Sequence, residues 1–414
     1  WEGPEPRRSP ASVVDEILSV QAGQDAWTPR GSALVLRLYL EELRPRCKAG
    51  SLCFEDFGAS KTRAIDMFVA VVQCAIRHRR YHLAEAVAGD MQACGVPRTR
   101  NFYESAFKQL ASKKQYHMAL TLYNRMESDQ ISPSTVTLSC LISFAAEVGE
   151  LQRALGFFRL LTETAVPSIR AYMTVLRLHS RRRDFEASYA LLRDMERNAV
   201  PVDCLVVNVV LATAIASDEL EAAQRLLDEA EQRQPPGCDI VSYNTVLKGF
   251  SQRGDAEGTM EFLGRICASR FAPNAITYNT ALDALVRSGA LAGVRRLLRD
   301  MRAAALRPDR FTVSILVKGL TRGAVAEEYV QEILTILEEF DESIEPKFRE
   351  QLYNTIIEAA VSGQGPGAGP GALFDQAFAQ MRRHKVALTP SAQRLLMKAI
   401  PRRAEQTFNF EESQ

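Results

Sequence analysis

The side chains best suited to hydrogen-bonding chemistry are amides and carboxyls in recurring contexts. Asn244, Asn279 and Asn354 each follow a tyrosine, whereas Asn274 and Asp309 each follow a proline. Such short groups can donate and accept hydrogen bonds at the edge of a ligand. Two local roles compete with ligand binding, because Asn near a helix start is a good N-cap and Asp or Asn after proline is a good turn former.

No residue constellation for catalysis is found. The eight cysteines form no C-x-x-C pair, and His78 and His82 lack a suitable acidic partner for a metal site. A phosphate-binding G-x-x-x-x-G-K-[ST] loop is also missing. We therefore expect a non-enzymatic chain with free thiols, no metal and no cofactor.

Composition narrows the class further. The 414 residues carry a formal net charge of +1, with 46% hydrophobic and 24% charged side chains, which is typical of a globular protein. No run of 18 apolar residues occurs, so no membrane insertion is expected. The near-neutral balance excludes a globally basic nucleic-acid binder but leaves room for a local basic stripe.

An internal repeat must position these side chains. An apolar helical face, such as Ala119, Leu122, Tyr123 and Met126, recurs seven times, and its last position advances by 35, 35, 34, 35, 36 and 35 residues. Prolines follow at 97, 133, 167, 201, 273, 308, 346 and 390. Each unit is thus predicted to be helix A, turn, helix B and a proline-marked turn. Stacked pairs predict an all-α, right-handed α-solenoid with a concave groove lined by the A helices.

The unit starts resemble a known family. They read Val241-Ser-Tyr-Asn-Thr-Val-Leu, Ile276-Thr-Tyr-Asn-Thr-Ala-Leu and Leu352-Tyr-Asn-Thr-Ile-Ile, and unit ends read Ala272-Pro-Asn and Arg307-Pro-Asp. With no Trp-x-x-Leu-Gly signature of tetratricopeptide repeats, the sequence resembles P-type pentatricopeptide repeat (PPR) proteins. The predicted domains are a helical cap or degenerate repeat at 1–63, about nine repeats at 65–391, and a capping helix and tail at 392–414.

The resemblance implies that the fifth and last residues of a unit contact one RNA base. The resulting base-reading pairs are Asn208 with Asp239, Asn244 with Asn274, and Asn279 with Asp309. By the same resemblance, Asn with Asp favours uracil and Asn with Asn favours a pyrimidine, which predicts U-pyrimidine-U from 5′ to 3′. The fifth residues of other units, including Val69, Glu104 and Met173, are expected to read bases poorly, and Glu104 to repel phosphate.

Basic residues at the ninth and thirteenth places of the units predict a cationic groove for phosphates, although cations also suit a helix C-terminus. The predicted phosphate-binding residues are Lys108, Arg177, Lys248, Lys318, Arg77, Arg181, Arg287 and Arg322.

Two functions stay open at this point. The first is a sequence-preferring single-stranded RNA binder in organellar RNA stability, processing or translation. The second is a non-catalytic scaffold subunit of an organellar ribosome or another large assembly, with protein partners. The family resemblance implies a plastid or mitochondrial location in either case.

Overall fold

The computed structural model describes residues 8–23, 28–58, 60–233, 236–290, 292–320, 327–339, 345–362 and 372–399. Within these ranges the chain is helical and has no strand. The fold is an all-α solenoid of paired helices, as the 35-residue period predicted. None of the described helices combines the length and apolarity that crossing a membrane requires.

The chain divides into two compact units, and the division falls within one helix. The first unit comprises Trp1–Arg182 and Arg193–Pro201, and the second comprises Arg183–Leu192 and Val202–Gln414. We describe each unit by itself.

The first unit contains an N-terminal segment and the first paired helices. The N-terminal helices are α1 (Pro10–Ala22), α2 (Pro29–Leu38) and α3 (Arg44–Lys48), with a π-helical turn at Tyr39–Leu43 and a 3₁₀ turn at Phe54–Phe57. The paired helices are α4 (Lys61–Arg77), α5 (His82–Ala93), α6 (Arg100–Ser112), α7 (Tyr116–Ser128), α8 (Thr135–Val148), α9 (Leu151–Thr164), α10 (Ile169–Arg182) and α11 (Phe185–Arg197), whose middle contains the division.

The second unit continues the pairing. Its helices are α12 (Cys204–Ala216), α13 (Leu220–Gln232), α14 (Ile240–Arg253), α15 (Ala256–Ala268), α16 (Ala275–Ser288), α17 (Ala292–Ala303), α18 (Arg310–Leu320), α19 (Glu327–Glu339), α20 (Pro346–Ser362), α21 (Ala372–Arg383) and α22 (Pro390–Ala399). Even-numbered helices from α4 onward are the A helices, and the odd-numbered helices are the B helices.

The apolar face predicted from the period forms the core. Ala119, Leu122, Tyr123 and Met126 on α7 are all at most 6% exposed. Within each of the two compact units, an A helix packs on the B helix of its own repeat and on the A helix of the next repeat, as α14 does on α15 and α16. One hairpin cannot bury this face alone, so each repeat depends on its neighbours.

Glycines end the A helices where the sequence predicted turns. Gly254 and Gly289 follow α14 and α16 with φ of 71° and 76°, the left-handed conformation that only glycine adopts without strain. The chain can therefore reverse into the B helix within two or three residues. All A helices thus begin at the same end of their hairpins.

The N-terminal segment packs on the first paired helices. The Tyr39 hydroxyl donates to Asp90 Oδ2 at 2.6 Å, and Arg44 Nε donates to the same oxygen at 3.1 Å. Because Asp90 is only 7% exposed, these two bonds satisfy a carboxylate that would be costly to bury alone. This segment therefore covers the first repeat, whereas its predicted origin as a degenerate repeat stays a prediction.

Candidate nucleic-acid interface

The start of each central A helix is fixed by the last residue of the preceding unit. Asp239 and Asn274 are N-caps in extended conformation, and their side chains accept the backbone N–H groups of Ser242 and Thr277. Asp309 holds the Thr312 amide in the same way, at 2.8 Å. Proline just before Asn274 and Asp309 favours the extended backbone that an N-cap needs.

A hydrogen-bonded triad joins each of these caps to the preceding A helix. Asn279 Nδ2 donates to Asp309 Oδ1 at 3.1 Å, and Thr312 Oγ1 donates to Asn279 Oδ1 at 2.7 Å. We call this set of fifth residue, N-cap and third residue of the next helix an inter-unit triad. It brings together the two side chains that the sequence paired as base readers.

The two preceding units contain the same arrangement. Asn244 Nδ2 donates to Asn274 Oδ1 at 3.3 Å, and Thr277 Oγ1 donates to Asn244 Oδ1 at 2.7 Å. In the third triad, Asn208 Nδ2 lies 3.1 Å from Asp239 Oδ1, and Ser242 Oγ lies 2.5 Å from Asn208 Oδ1. Three consecutive units therefore share one geometry.

The triads bury two of the asparagines that the sequence predicted as base readers. Asn244 and Asn279 are each only 9% exposed. The threonine of the next helix satisfies each amide oxygen, and the last residue of the same unit accepts one N–H of each amide nitrogen. Neither asparagine is an N-cap, because Asn244 is the fifth residue of α14 and Asn279 is the fifth residue of α16. The helix-capping role belongs instead to the last residues of the units.

One polar group per triad remains uncommitted. Asp239 Oδ2, Asn274 Nδ2 and Asp309 Oδ2 form no hydrogen bond with any residue that the structure describes. All three side chains are partly exposed. Each can thus cap a helix with one atom and offer its second atom to a ligand, so capping and ligand binding are compatible.

Exposed apolar side chains form a second regular feature, which the sequence reasoning missed. They occupy the second residue of an A helix and are 53%, 52%, 63% and 57% exposed at Leu205, Val241, Ile276 and Phe311. Each lies two residues after the residue that caps its helix. For Val241, Ile276 and Phe311 the capping residues are Asp239, Asn274 and Asp309. Their 35- or 36-residue spacing in the sequence was the available signal. Such side chains can pack against the face of a planar ligand.

The basic residues predicted for the groove have different surroundings. Lys108, Arg177, Arg181, Lys248 and Lys318 are exposed on A helices. Arg77 is half-buried, with Nη1 3.5 Å from Ser32 Oγ. Arg287 Nε lies 2.6 Å from Asp283 Oδ2, so that its charge is already paired, whereas Arg322 lies outside the described residues.

A surface cavity of about 310 Å³ lies between α8 and α10 of the first unit. Arg170, Arg177 and Arg181 line it together with Glu147 and Met173. Among the described residues none of these three guanidinium groups has a hydrogen-bond or ion-pair partner, so the cavity has an excess of positive charge. Arg170 was missed from the sequence because it is the second residue of its helix, a position that is apolar in the neighbouring units, at Val136 and Leu205.

The last described unit departs from the predicted register. Extending the register of the central units to the C-terminal end pairs Asn354 with Ser391, but Asn354 Oδ1 accepts the backbone N–H of Thr389 at 2.8 Å and its Nδ2 donates to the Ala387 carbonyl at 3.1 Å. Thr389 also precedes α22 and accepts the Ala392 amide, so that Thr389 is the N-cap. The error of two residues reflects the irregular length of the last units.

No group of three or more His, Cys, Asp or Glu side chains in the described ranges is arranged to hold a metal ion. All eight cysteines are free thiols, as expected from their spacing. The features that recur with the repeat are therefore hydrogen-bonding triads, apolar second residues and cations.

Fold and site together define an α-helical repeat protein in which three consecutive repeats carry the same polar triad. The PPR repeat family model matches residues 238–287 and 273–322, which contain two of the triads. A pentatricopeptide repeat-containing protein of Arabidopsis thaliana is 24% identical over 187 residues, covering 45% of this chain and 29% of that protein. Residues 238–322 thus match pentatricopeptide repeats, and the chain is similar to pentatricopeptide repeat proteins.

A solved structure agrees with this fold. The pentatricopeptide repeat protein PPR10 from maize superposes with a TM-score of 0.51 at 18% identity, covering 96% of this chain and 64% of that one. Yeast Rmd9p in complex with a 16-nt target RNA gives a TM-score of 0.41 at 11% identity, covering 97% and 95%. This chain thus spans less than a third of the Arabidopsis relative and just under two thirds of the maize structure.

Proposed function

We propose that this protein binds single-stranded RNA through the A helices, with one nucleotide at each inter-unit triad. The observation that carries the proposal is the triad itself: in three consecutive units, hydrogen bonds to one atom of the capping side chain orient its second polar atom, which has no hydrogen-bond partner among the described residues. Unpaired bases expose the edges that such groups recognise. Solved PPR proteins in complex with RNA provide a precedent.

The free atoms suggest which bases are bound. Asp309 Oδ2 and Asp239 Oδ2 are acceptors, which suit the N3–H donor of uracil. Asn274 Nδ2 is a donor, which suits the N3 acceptor of cytosine or a carbonyl of uracil. The proposed motif is therefore U-pyrimidine-U, with the pairs that the sequence predicted.

Base faces and phosphates complete the proposed interface. Apolar contact with Val241, Ile276 and Phe311 would shield the base from water on either side, without regard to its identity. Lys108, Arg177, Arg181, Lys248 and Lys318 would bind phosphates. We assign Arg287 a smaller share, because its ion pair with Asp283 must be weakened before it can bind phosphate.

We further propose that the protein is a non-catalytic factor for RNA stability, processing or translation in a plastid or mitochondrion. The match of residues 238–322 to the PPR repeat family and a similar plant PPR protein support this assignment. A scaffold subunit of an organellar assembly is the second candidate, favoured by units such as 169–203, in which buried Met173 replaces the fifth-place amide.

The proposal is tested by selecting bound sequences from a randomised single-stranded RNA pool with the full chain. We expect enrichment of U-pyrimidine-U. Crosslinking in cells followed by sequencing would then identify the natural RNA. An unenriched pool bound with the same affinity as unrelated RNA would refute sequence-preferring binding and favour the scaffold function.

A further inference from the structure

A fourth triad joins α6 and α8, in the first of the two compact units, and contains a carboxylate in the position of the asparagine. Glu104 is the fifth residue of α6, and its Oε1 accepts a hydrogen bond from Thr137 Oγ1 at 2.8 Å. Ser134 caps α8, with its Oγ 3.2 Å from the Thr137 amide and 2.9 Å from Thr137 Oγ1. Fifth residue, N-cap and third residue of the next helix are thus arranged as in the inter-unit triads.

The Glu104 carboxylate is held in its ionised form. Partial burial alone would raise its pKa, but hydrogen bonds from Ser134 and Thr137 and the charge of Arg100 outweigh burial and lower the pKa below its ordinary value of 4.5. At neutral pH this position therefore offers only hydrogen-bond acceptors. The asparagines of the other triads, in contrast, offer both donors and acceptors.

Two cations limit the repulsion between Glu104 and an RNA backbone. Arg100 and Lys108 lie four residues before and after Glu104 on α6, and residues at this spacing share one helical face. Arg100 Nε donates to the Ser132 carbonyl at 2.9 Å, which keeps it beside the cap of the next helix. The expectation that Glu104 only repels phosphate omitted both of these charges.

We propose that Glu104 is a specificity-determining residue that binds guanine. Guanine presents two adjacent donors, N1–H and N2–H, on its Watson–Crick edge, whereas uracil, cytosine and adenine each present a single donor group there. A carboxylate accepts two parallel N–H donors in a bidentate arrangement, which is stronger than a neutral hydrogen bond. Val136, two residues after the capping Ser134, is 72% exposed and can contact the base face.

The repeat order along the sequence places this guanine in the motif. Two units, 135–168 and 169–203, separate the Glu104 unit from the unit of Asn208. If each unit binds one nucleotide, the guanine lies three nucleotides 5′ of the first uracil. This inference rests on the proposed function, and it extends the legible motif to G-N-N-U-pyrimidine-U.

The test compares four synthetic RNAs that differ only at the first nucleotide of this motif. Binding to the full chain and to Glu104→Gln is measured by fluorescence anisotropy. Glutamine keeps an oxygen for Thr137 but replaces the second acceptor with a donor. We expect the wild-type chain to prefer guanine by about 10-fold and the variant to lose that preference, because a bidentate base contact discriminates on that order.

Glu127→Gln is the matched control, since it makes the same charge change at an exposed site on α7 of the same repeat. It should retain the guanine preference. Absence of any preference, preference for another base, or a guanine preference that survives Glu104→Gln would each overturn the assignment while U-pyrimidine-U binding stands. If no RNA is bound with preference at the uracil positions either, the proposed function itself fails.

Discussion

Exchange of a single atom at Asp309 gives the sharpest test of base reading. In Asp309→Asn, the Oδ1 atom that holds the Thr312 amide at 2.8 Å and Asn279 Nδ2 at 3.1 Å is retained. Only Oδ2, which has no partner among the described residues, becomes an NH₂ donor. The variant thus reproduces the Asn244–Asn274 pair one unit later in the chain.

The expected magnitude follows from this single change. Uracil N3–H loses an ionised acceptor and meets a donor, whereas cytosine N3 gains a donor. A hydrogen bond to a charged group contributes about 1.5–3 kcal/mol, and the partial exposure of Asp309 favours the lower end. The ratio of uracil to cytosine affinity at this nucleotide should therefore fall by about 10-fold.

The assay measures dissociation constants for RNAs that end in U-U-U and U-U-C. Asn and Asp are comparable N-caps, so the loss of charge at the helix start should cost less than about 1 kcal/mol, which thermal unfolding would check. Asn274→Asp is the reciprocal control and should raise the uracil preference at the middle nucleotide. An unchanged ratio in both variants would refute the reasoning that the uncommitted atom of the cap reads the base.

Three further outcomes are expected. Arg177→Gln should weaken binding to all RNAs alike and make the slope of log affinity against log salt less negative by about 0.7, which a salt titration measures; an unchanged slope would exclude a phosphate contact. Ile276→Ser should weaken binding to every base, by about 1 kcal/mol, and a base-selective loss in the same anisotropy assay would contradict a stacking role. Partial burial of Asp129 would raise its pKa, but hydrogen bonds from Arg98 and Tyr103 have the larger effect. The pKa of Asp129 therefore lies below its ordinary value of 3.8. Its carboxylate therefore stabilises the folded chain above that pH, and the stabilisation is lost as pH falls through the lowered folded-state pKa. Asp129→Asn should lower the midpoint of thermal unfolding at pH 7, and this effect should shrink as the pH is lowered below 3.8. An effect that does not change with pH would contradict this.

The sequence predicted the fold to a large extent because a 35-residue period constrains every unit at once. It placed the apolar faces, the turns between helices A and B, and the three pairs that the triads join. These features repeat, so that an error in one unit is corrected by its neighbours.

Features that depend on contacts between units were harder to predict. Ser242, Thr277 and Thr312 hold the amide oxygens of the triads, yet at the third place of a helix a hydroxyl is indistinguishable in sequence from an ordinary capping-box residue. The burial of Asn244 results from contacts with residues that are distant in the sequence. The ion pair of Arg287 with Asp283 results from a residue one helical turn away. The 35-residue period predicts neither of them. The register error at Asn354 arose because α20 begins at Pro346 and is 17 residues long, unlike the 14-residue α14 and α16.

The proposed double use of the capping side chain, as helix cap and as base reader, limits how recognition can be redesigned. An amino acid at 239, 274 or 309 must start a helix before it can select a nucleotide, and only a few small polar side chains do this well. Replacement by alanine or a large apolar residue would sacrifice helix stability together with selectivity, so the two losses would be hard to separate in an assay. Engineers of this array should therefore vary the caps among Asp, Asn, Ser and Thr, and should explore wider diversity at the fifth residue, where Glu104 already shows that a longer side chain fits.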